Sequence, residues 1–282
     1  MKILLLGSSG FIGRHLLKAC QQNNFLVICP TSKELDFLNP NDEVFKDLLK
    51  DIDVIINTVG IMSRDKQLMQ TVHCDTPILF AKIAKDYAND FNKKIQWLNL
   101  SALGADENSD VAFVKSKGQG DKGVLALADD YFKVSIVRPS LIYGDGGAST
   151  KLFLQLAKFP ILPLPKGGNF NIQPVHADDV VLGIVTLIGN YHYPNIINFT
   201  GNQILTLKDY LILLRKNHYQ KDKAIIISMP FFIAKIGALI LQNFTNLISI
   251  DSLTLLKNGN VADNGVFKAL IKQSPLSIHK FT

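Results

Sequence analysis

Little in this 282-residue chain can cross-link it or cage a metal: it has three cysteines, four methionines and one tryptophan. Cys20, Cys29 and Cys74 are odd in number and show no C-x-x-C spacing, which excludes a paired disulfide framework and argues against a metal centre. They read as reduced, buried thiols of a cytosolic protein. The chain also lacks repeats, low-complexity tracts and blocks of like charge. Its net charge of +6, with a pI near 9.1, is spread over scattered lysines, and no aromatics alternate with arginines. A nucleic-acid surface would gather that charge, so a mildly basic surface is the simpler reading and no nucleic-acid partner is expected. An anionic ligand or membrane surface stays compatible with it. The opening run "MKILLL" is too short for a signal peptide and leads straight into glycine, so the chain is expected to start folded and uncleaved.

What is present is apolar. Hydrophobic residues make up 47% of the chain and charged residues 19%, enough for a large domain and a smaller partner. The runs "KILLLG", "FLVICP", "DVIINTVG", "KIQWLNLS" and "KVSIVRPSLIYG" read as strands. Helical patterns, including "GRHLLKACQQN" and "CDTPILFAKIAKDYAND", alternate with them. Continuous apolar strands joined by helices make a parallel sheet covered on both faces. Right-handed crossovers then give an α/β, doubly wound Rossmann fold. Beyond Gly144 the sequence turns rich in proline and glycine. The expected division is a dinucleotide-binding domain over 1–150, rejoined by 174–201. A smaller lobe over 151–282 would close on the sheet's carboxyl edge and take a small-molecule substrate or a protein partner.

"GSSGFIG" sets Gly7, Gly10 and Gly13 between the first strand and the first helix. Gly7 permits a tight turn, Gly10 lets the backbone approach a pyrophosphate, and Gly13 lets the helix lie close on the strand. The helix start, with Ser9, Phe11, Ile12 and Arg14, then offers free N–H groups to phosphates. In this strand–turn–helix context the pattern points to a dinucleotide.

The G-x-x-G-x-x-G spacing resembles the short-chain dehydrogenase/reductase superfamily, and "GFIGRHL" its extended and atypical branches. "LNLSALGAD", "VRPSLIYGDGG", "FNIQPVHADDVV" and "NFTGNQILTLKDYL" follow in the order found there. Together they look most like the group holding the NAD(P)-binding accessory subunit of respiratory complex I, and the NAD-dependent epimerase/dehydratases. "SKELDFLNPND" is also similar to dTDP-4-dehydrorhamnose reductases. The resemblance covers about residues 1–210.

An NAD-preferring site places a carboxylate at the end of the second strand, to accept from the ribose 2′-hydroxyl. Here Thr31, Ser32 and Lys33 stand there, and with Arg14 they would welcome a 2′-phosphate. NADP(H) is therefore expected over NAD(H), though Lys33 and Arg14 also read as solvated charges. Relatives bracket the adenine with a pair like Asp36–Phe37, and Asp36 equally suits a turn. The resemblance likewise sets Asn57, Val59 and Gly60 in a loop lining the cofactor, and an asparagine at a strand end equally forms a turn.

In the superfamily a tyrosine hydroxyl exchanges a proton with the substrate, a lysine four residues on supports it and holds the ribose, and a serine binds the substrate oxygen. The resemblance maps these roles to Phe113, Lys117 and Ser101. Phe113 has no proton to give at any pH. A missing general acid costs about 10²- to 10⁴-fold in rate. Lys117 keeps its ribose role, and Ser101 equally suits a turn or cap. Tyr143, at the carboxyl end of "RPSLIYG", is the substitute donor to consider, although many relatives carry a tyrosine there without using it so. Pro139, Ser140 and Leu141 would line the nicotinamide with backbone groups. His176, with Asp178 and Asp179, reads as structural rather than as a metal or acid–base cluster.

These residues leave two readings open. One is a dinucleotide-binding protein with low or no carbonyl-reductase activity. The other is an NADP(H)-dependent oxidoreductase, or a nucleotide-sugar epimerase, dehydratase or reductase, with a different proton donor. The apolar stretch 224–244 carries one charge, Lys235, and Pro230 divides it. The part beyond Pro230 reads as a short helix of the second lobe, buried or partly exposed, or as a peripheral contact with the inner membrane through 230–244.

Overall fold

A strand with no polar side must be covered on both faces, and five such strands open this chain. The computed structural model describes residues 1–241 and 249–278. From the N-terminus run β1 (Lys2–Leu6), α1 (Phe11–Gln22), β2 (Leu26–Ile28), α2 (Asp42–Leu48), β3 (Val54–Asn57), α3 (Lys66–Gln70), α4 (Thr76–Asp90), β4 (Ile95–Leu100), α5 (Ala112–Leu125) and β5 (Phe132–Pro139). There follow β6 (Ile142–Tyr143), α6 (Ala148–Ala157), β7 (Ile161–Pro165), β8 (Asn171–Ile172), β9 (Val175–His176), α7 (Ala177–Leu187) and β10 (Ile196–Phe199). The last are β11 (Leu205–Thr206), α8 (Leu207–Tyr219), β12 (Ile225–Met229), α9 (Phe231–Leu241), α10 (Ile250–Asn258) and α11 (Gly265–Ile271).

Two compact units share these elements. The first comprises Met1–Pro139, Val180–Phe199 and Gly265–Lys272; the second takes the intervening segments and the tail. The first unit therefore closes at Pro139, earlier than the expected 150. It also recruits α11 from far along the chain, where no strand–helix alternation marks it.

In the first unit six parallel strands lie in the order β10-β5-β4-β3-β1-β2, the expected doubly wound sheet. The order reverses at β1, which puts the topological switch point, where ligands of such sheets bind, at the carboxyl ends of β1 and β3. On one face Phe45 stacks on Phe80 at 4.1 Å between ring centroids. Trp97 and Phe132 are fully buried in the same core. On the other edge Phe199 of β10 stacks on Phe267 of α11 at 4.2 Å.

The second unit holds three two-stranded pairs, β11–β8, β12–β7 and β6–β9, around a core of Tyr143, Phe170, Tyr210 and Leu211. Arg215 is buried there and its guanidinium donates to the carbonyls of Ala157, Lys158 and Phe159, closing the end of α6. Before Pro230 the apolar stretch forms β12, paired with β7, and beyond Pro230 it is helical as expected, in α9. Its residues 242–244 lie outside the described residues. No helix among the described residues is long and apolar enough to cross a membrane.

Candidate active site

The parallel sheet brings the ends of β1, β2, β3 and β4 to one edge of the first unit. At β1, Gly7 has φ +83°, and a Cβ there would stand 2.8 Å from Thr58 Oγ1. Thr58 donates its hydroxyl to the carbonyls of Leu6 and Gly7, at 2.8 and 3.2 Å, pinning the turn to the end of β3. A Cβ on Gly13 would lie 2.0 Å from the Gly7 carbonyl oxygen, so helix and strand meet more closely than any side chain permits. Gly10 caps α1, which has no side-chain cap and no acid in its first turn. Its leading N–H groups therefore remain open to an anion. Ser9 and Gly10 are exposed, Phe11 is half-buried and Ile12 is buried. Arg14 folds back, donating to the Ser9 carbonyl at 2.6 Å.

Thr31, Ser32 and Lys33 are all exposed beyond β2. A carboxylate does stand among them: Glu34 accepts from the Thr31 N–H at 2.7 Å, which holds its carboxyl below the usual range. The sequence reading passed over it because it lies beyond the strand end and turns back. Asp36 accepts from Leu38 N–H and Asn39 Nδ2, so it forms a turn, and Phe37 packs edge-on against Phe80.

Behind this edge runs a buried polar chain. Register sets Asn57 opposite Asn99, and Asn57 Nδ2 donates to Asn99 Oδ1 at 2.9 Å while its Oδ1 accepts from Val59 N–H. Asn99 Nδ2 in turn donates to Asp121 Oδ1 at 3.3 Å. Asp121 Oδ2 accepts from the Ser101 hydroxyl at 2.7 Å and from Arg138 Nε and Nη2, both at 2.9 Å. Burial pushes the Asp121 carboxyl up, opposed by the Ser101 bond and the Arg138 charge. Asn99, Asp121 and Arg138 were missed. Their signal is the polar residue in each apolar strand end and the acid one turn beyond Lys117.

Lys117 is 6% exposed, and its ammonium donates to the Leu100 carbonyl at 3.0 Å. A Cβ on Gly60 would lie 3.2 Å from Lys117 Nζ, so the loop after β3 faces the ammonium. Burial lowers the Lys117 pKa to about 8, against the pull of Asp121. Beside it stands His73, also missed, in a π-turn (Thr71–Asp75) between α3 and α4. The Ile61 N–H donates to His73 Nε2 at 3.0 Å, which leaves the ring proton on Nδ1 for Ser116 Oγ at 2.9 Å. The Ser116 hydroxyl in turn donates to the Phe113 carbonyl at 3.0 Å. Burial, and then the Lys117 charge, lower the His73 pKa to about 3. Phe113 meets the imidazole edge-on at 5.5 Å.

The remaining expected residues are committed elsewhere. The Pro139 carbonyl accepts from Leu103 N–H at 2.8 Å. Within the second unit Ser140 donates to the Gln173 carbonyl, and Leu141 N–H to Asn260 Oδ1 at 2.6 Å. Tyr143 requires a correction: β5 ends at Pro139, and Tyr143 lies in β6, 1% exposed in the second unit's core. Its hydroxyl points to the Leu276 carbonyl at 3.5 Å, and burial drives its pKa up. His176 accepts from Asp178 N–H, and buried Asp179 from Leu276 N–H, ties within that same unit.

The sheet edge suits a dinucleotide: a turn held tight by Gly7 and closed on the strand by Gly13, an open helix start, and a buried ammonium. Known proteins agree on the fold. Among curated relatives, the chain is 27% identical over 198 residues to the ceramide reductase of Caulobacter vibrioides, covering 65% of this chain and 59% of that one. It is 20% identical over 245 residues to the mitochondrial NADH-ubiquinone oxidoreductase 40 kDa subunit of Neurospora crassa, covering 78% and 62%. The chain thus spans about three-fifths of the length of those relatives. A nucleoside-diphosphate-sugar epimerase structure from Staphylococcus aureus superposes with a TM-score of 0.74 over 99% of this chain and 98% of its own, at 16% identity. The NAD dependent epimerase/dehydratase family model matches residues 3–198. That match runs from the first strand of the sheet to its last, β10, and so the chain belongs to the NAD dependent epimerase/dehydratase family.

Proposed function

We propose that this chain binds NADP(H) at the carboxyl edge of its sheet and has little or no classical carbonyl-reductase activity. The turn shaped by Gly7 and Gly13 lets the backbone at Gly10 and the start of α1 receive the pyrophosphate, Lys117 the ribose hydroxyls, and Ser32 and Lys33 the 2′-phosphate. The observation that carries the low-activity reading is that Ser101 and His73, the polar side chains in place to stand in for the absent tyrosine hydroxyl, are both committed. Ser101 donates its hydrogen bond to Asp121, and His73 is neutral with both ring nitrogens bonded. We place the chain in the cytoplasm, touching a membrane only peripherally, through 230–244.

A second reading has one observation in its favour. Lys117 is a buried ammonium with a pKa of about 8, an acid able to give up a proton near neutrality. It would make this chain a slow oxidoreductase, epimerase or dehydratase.

Calorimetric titration with NADPH and NADH, joined to an NADPH-oxidation assay, tests the first reading. NADPH is expected to bind more tightly, Lys33→Ala to narrow the gap and Glu34→Gln to widen it. Lys117→Ala should weaken binding at least about tenfold, as charge-assisted hydrogen bonds are worth about 1.5–3 kcal/mol each. Affinity should also fall as pH rises past about 8, where the ammonium is lost. Phe113→Tyr should leave binding unchanged. Equal affinities sink the 2′-phosphate assignment. Rapid turnover of aldehydes, nucleotide sugars or long-chain ketones, the last because one relative is a ceramide reductase, overturns the low-activity reading. Loss of that turnover in Lys117→Met would favour the second.

A further inference from the structure

We propose that the outward face of α9, extended by the β7–β12 ribbon, docks on anionic phospholipid bilayers. An ordinary surface helix hides its large apolar residues and shows polar ones. Helix α9 does the reverse. Its inner positions are the buried alanines Ala234 and Ala238, whereas Phe232 is 65% exposed, Ile236 55% and Leu239 47%. These three, with Ile233, follow helical spacing on one arc. The ribbon leading into α9 repeats the pattern. Ile225 pairs with Ile161 and Ile227 with Pro163, and these isoleucines stand outward while Leu162 and Leu164 are buried. Helix α9 packs against β7 and α10, so the exposed side chains belong to adjoining elements. One exposed isoleucine needs no explanation, but such a cluster does.

Charge selects the occupant. From Lys223 to Ile250 the sequence carries two charges, Lys223 and Lys235, and from Phe159 to Pro165 none. Lys235 and Lys257 place their ammonium groups 5.7 and 5.8 Å from the Phe231 ring, at the start of α9. Lys158 and Lys166 bracket β7. Against these five lysines stand Asp222 and Asp251. A second copy would set lysine against lysine across a self-complementary contact. Protein interfaces enrich tyrosine, tryptophan, phenylalanine, methionine and arginine at their centres; of these the arc of Phe232, Ile233, Ile236 and Leu239 holds one, Phe232. An apolar face flanked by lysines, on a helix of 11 residues, matches a leaflet surface: acyl chains receive the arc and anionic headgroups the ammonium groups.

The proposal deepens the peripheral contact suggested above and owes nothing to the cofactor. Its test is co-sedimentation of the full chain with phosphatidylcholine vesicles, with and without phosphatidylglycerol, at low and high salt. Wild type should bind the phosphatidylglycerol vesicles in a salt-sensitive way. The double variant Phe232→Ser/Ile236→Ser should lose at least about tenfold in vesicle affinity, and Lys235→Glu should lose affinity and salt sensitivity together. Circular dichroism of each protein checks that it is folded, and NADPH titration, run alongside, reports on the cofactor site separately; an intact circular dichroism spectrum suffices for the vesicle result to count. Failure to bind either vesicle, with that spectrum intact, leaves the face to a protein partner and overturns the proposal. Equal sedimentation of wild type and double variant overturns it too. So does a dimer, seen by light scattering, that the double variant dissolves.

Discussion

His73 shows at a single residue how folding sets a protonation state. The ring is 2% exposed, its Nε2 is occupied by the Ile61 N–H, and an ammonium stands near. Folding lowers its pKa from 6.5 to about 3, so between those values the unfolded chain binds a proton that the folded chain refuses. The stability contributed is complete above the unfolded value and drains away as pH falls toward the folded one. His73→Asn should lower stability at neutral pH by about 1–3 kcal/mol through its lost bonds. It should also flatten the decline between neutrality and about pH 5. Urea midpoints of both proteins at the two pH values check this, and parallel declines would clear His73 of the role. Lys117, Phe113 and Ser101 were legible because their spacing repeats a known pattern. His73 and Asp121 were not: a lone histidine or aspartate in a helical run gains meaning only from neighbours on other elements.

At the scale of elements, α5 owes its position to glycine. A Cβ on Gly120 would lie 2.0 Å from the His73 carbonyl oxygen in the π-turn, and one on Gly118 2.4 Å from the Asp106 backbone. Glycine costs about 1 kcal/mol relative to alanine in an isolated helix. Here the loss permits the contact that brings Lys117 beneath the loop after β3. Gly120→Ala should therefore destabilise the protein by about 1–3 kcal/mol, despite its better helix propensity. Gly237→Ala in α9, with nothing within 4 Å, should stabilise it by about 0.5–1 kcal/mol. Opposite shifts in denaturant midpoint are the expected result; shifts of the same sign would remove the close-approach account. The strands of the sheet were legible from their apolar runs. The π-turn was not, being one extra residue in a helical pattern, and neither was β12, because its partner β7 lies far back in the chain.

The whole molecule is threaded, since the chain passes between the two units after Pro139, Asp179, Phe199, Asn264 and Lys272. The return of β10 to the sheet could be read from "NIINFTG", but nothing in "GVFKALI" announces that α11 covers it. A fragment of residues 1–150 would contain the complete glycine turn and Lys117 and still lack β10 and α11. Its strand β5 would show an unpaired edge from Ile136 to Pro139. The buried Gln96 amide in β4 would lose its bonds to the Leu187 carbonyl and the Gly189 N–H. Such edges and orphaned amides promote aggregation. The fragment is expected to be insoluble and to bind no NADPH, which expression and titration beside the full chain will show. A soluble, cofactor-binding fragment would mean that β10 and α11 are dispensable.

The same threading bears on how such a chain changes over generations. A recombination joining two relatives at one point between residues 140 and 179 leaves β5 from one parent beside β10 and α11 from the other. Whether the hybrid folds then rests on Ile136 meeting its Ile196 counterpart across the join, while the stacked pair Phe199 and Phe267 arrives together. The nucleotide-binding half is thus inherited as a pattern distributed over the sequence, and exchange at one breakpoint cannot transmit it as a block.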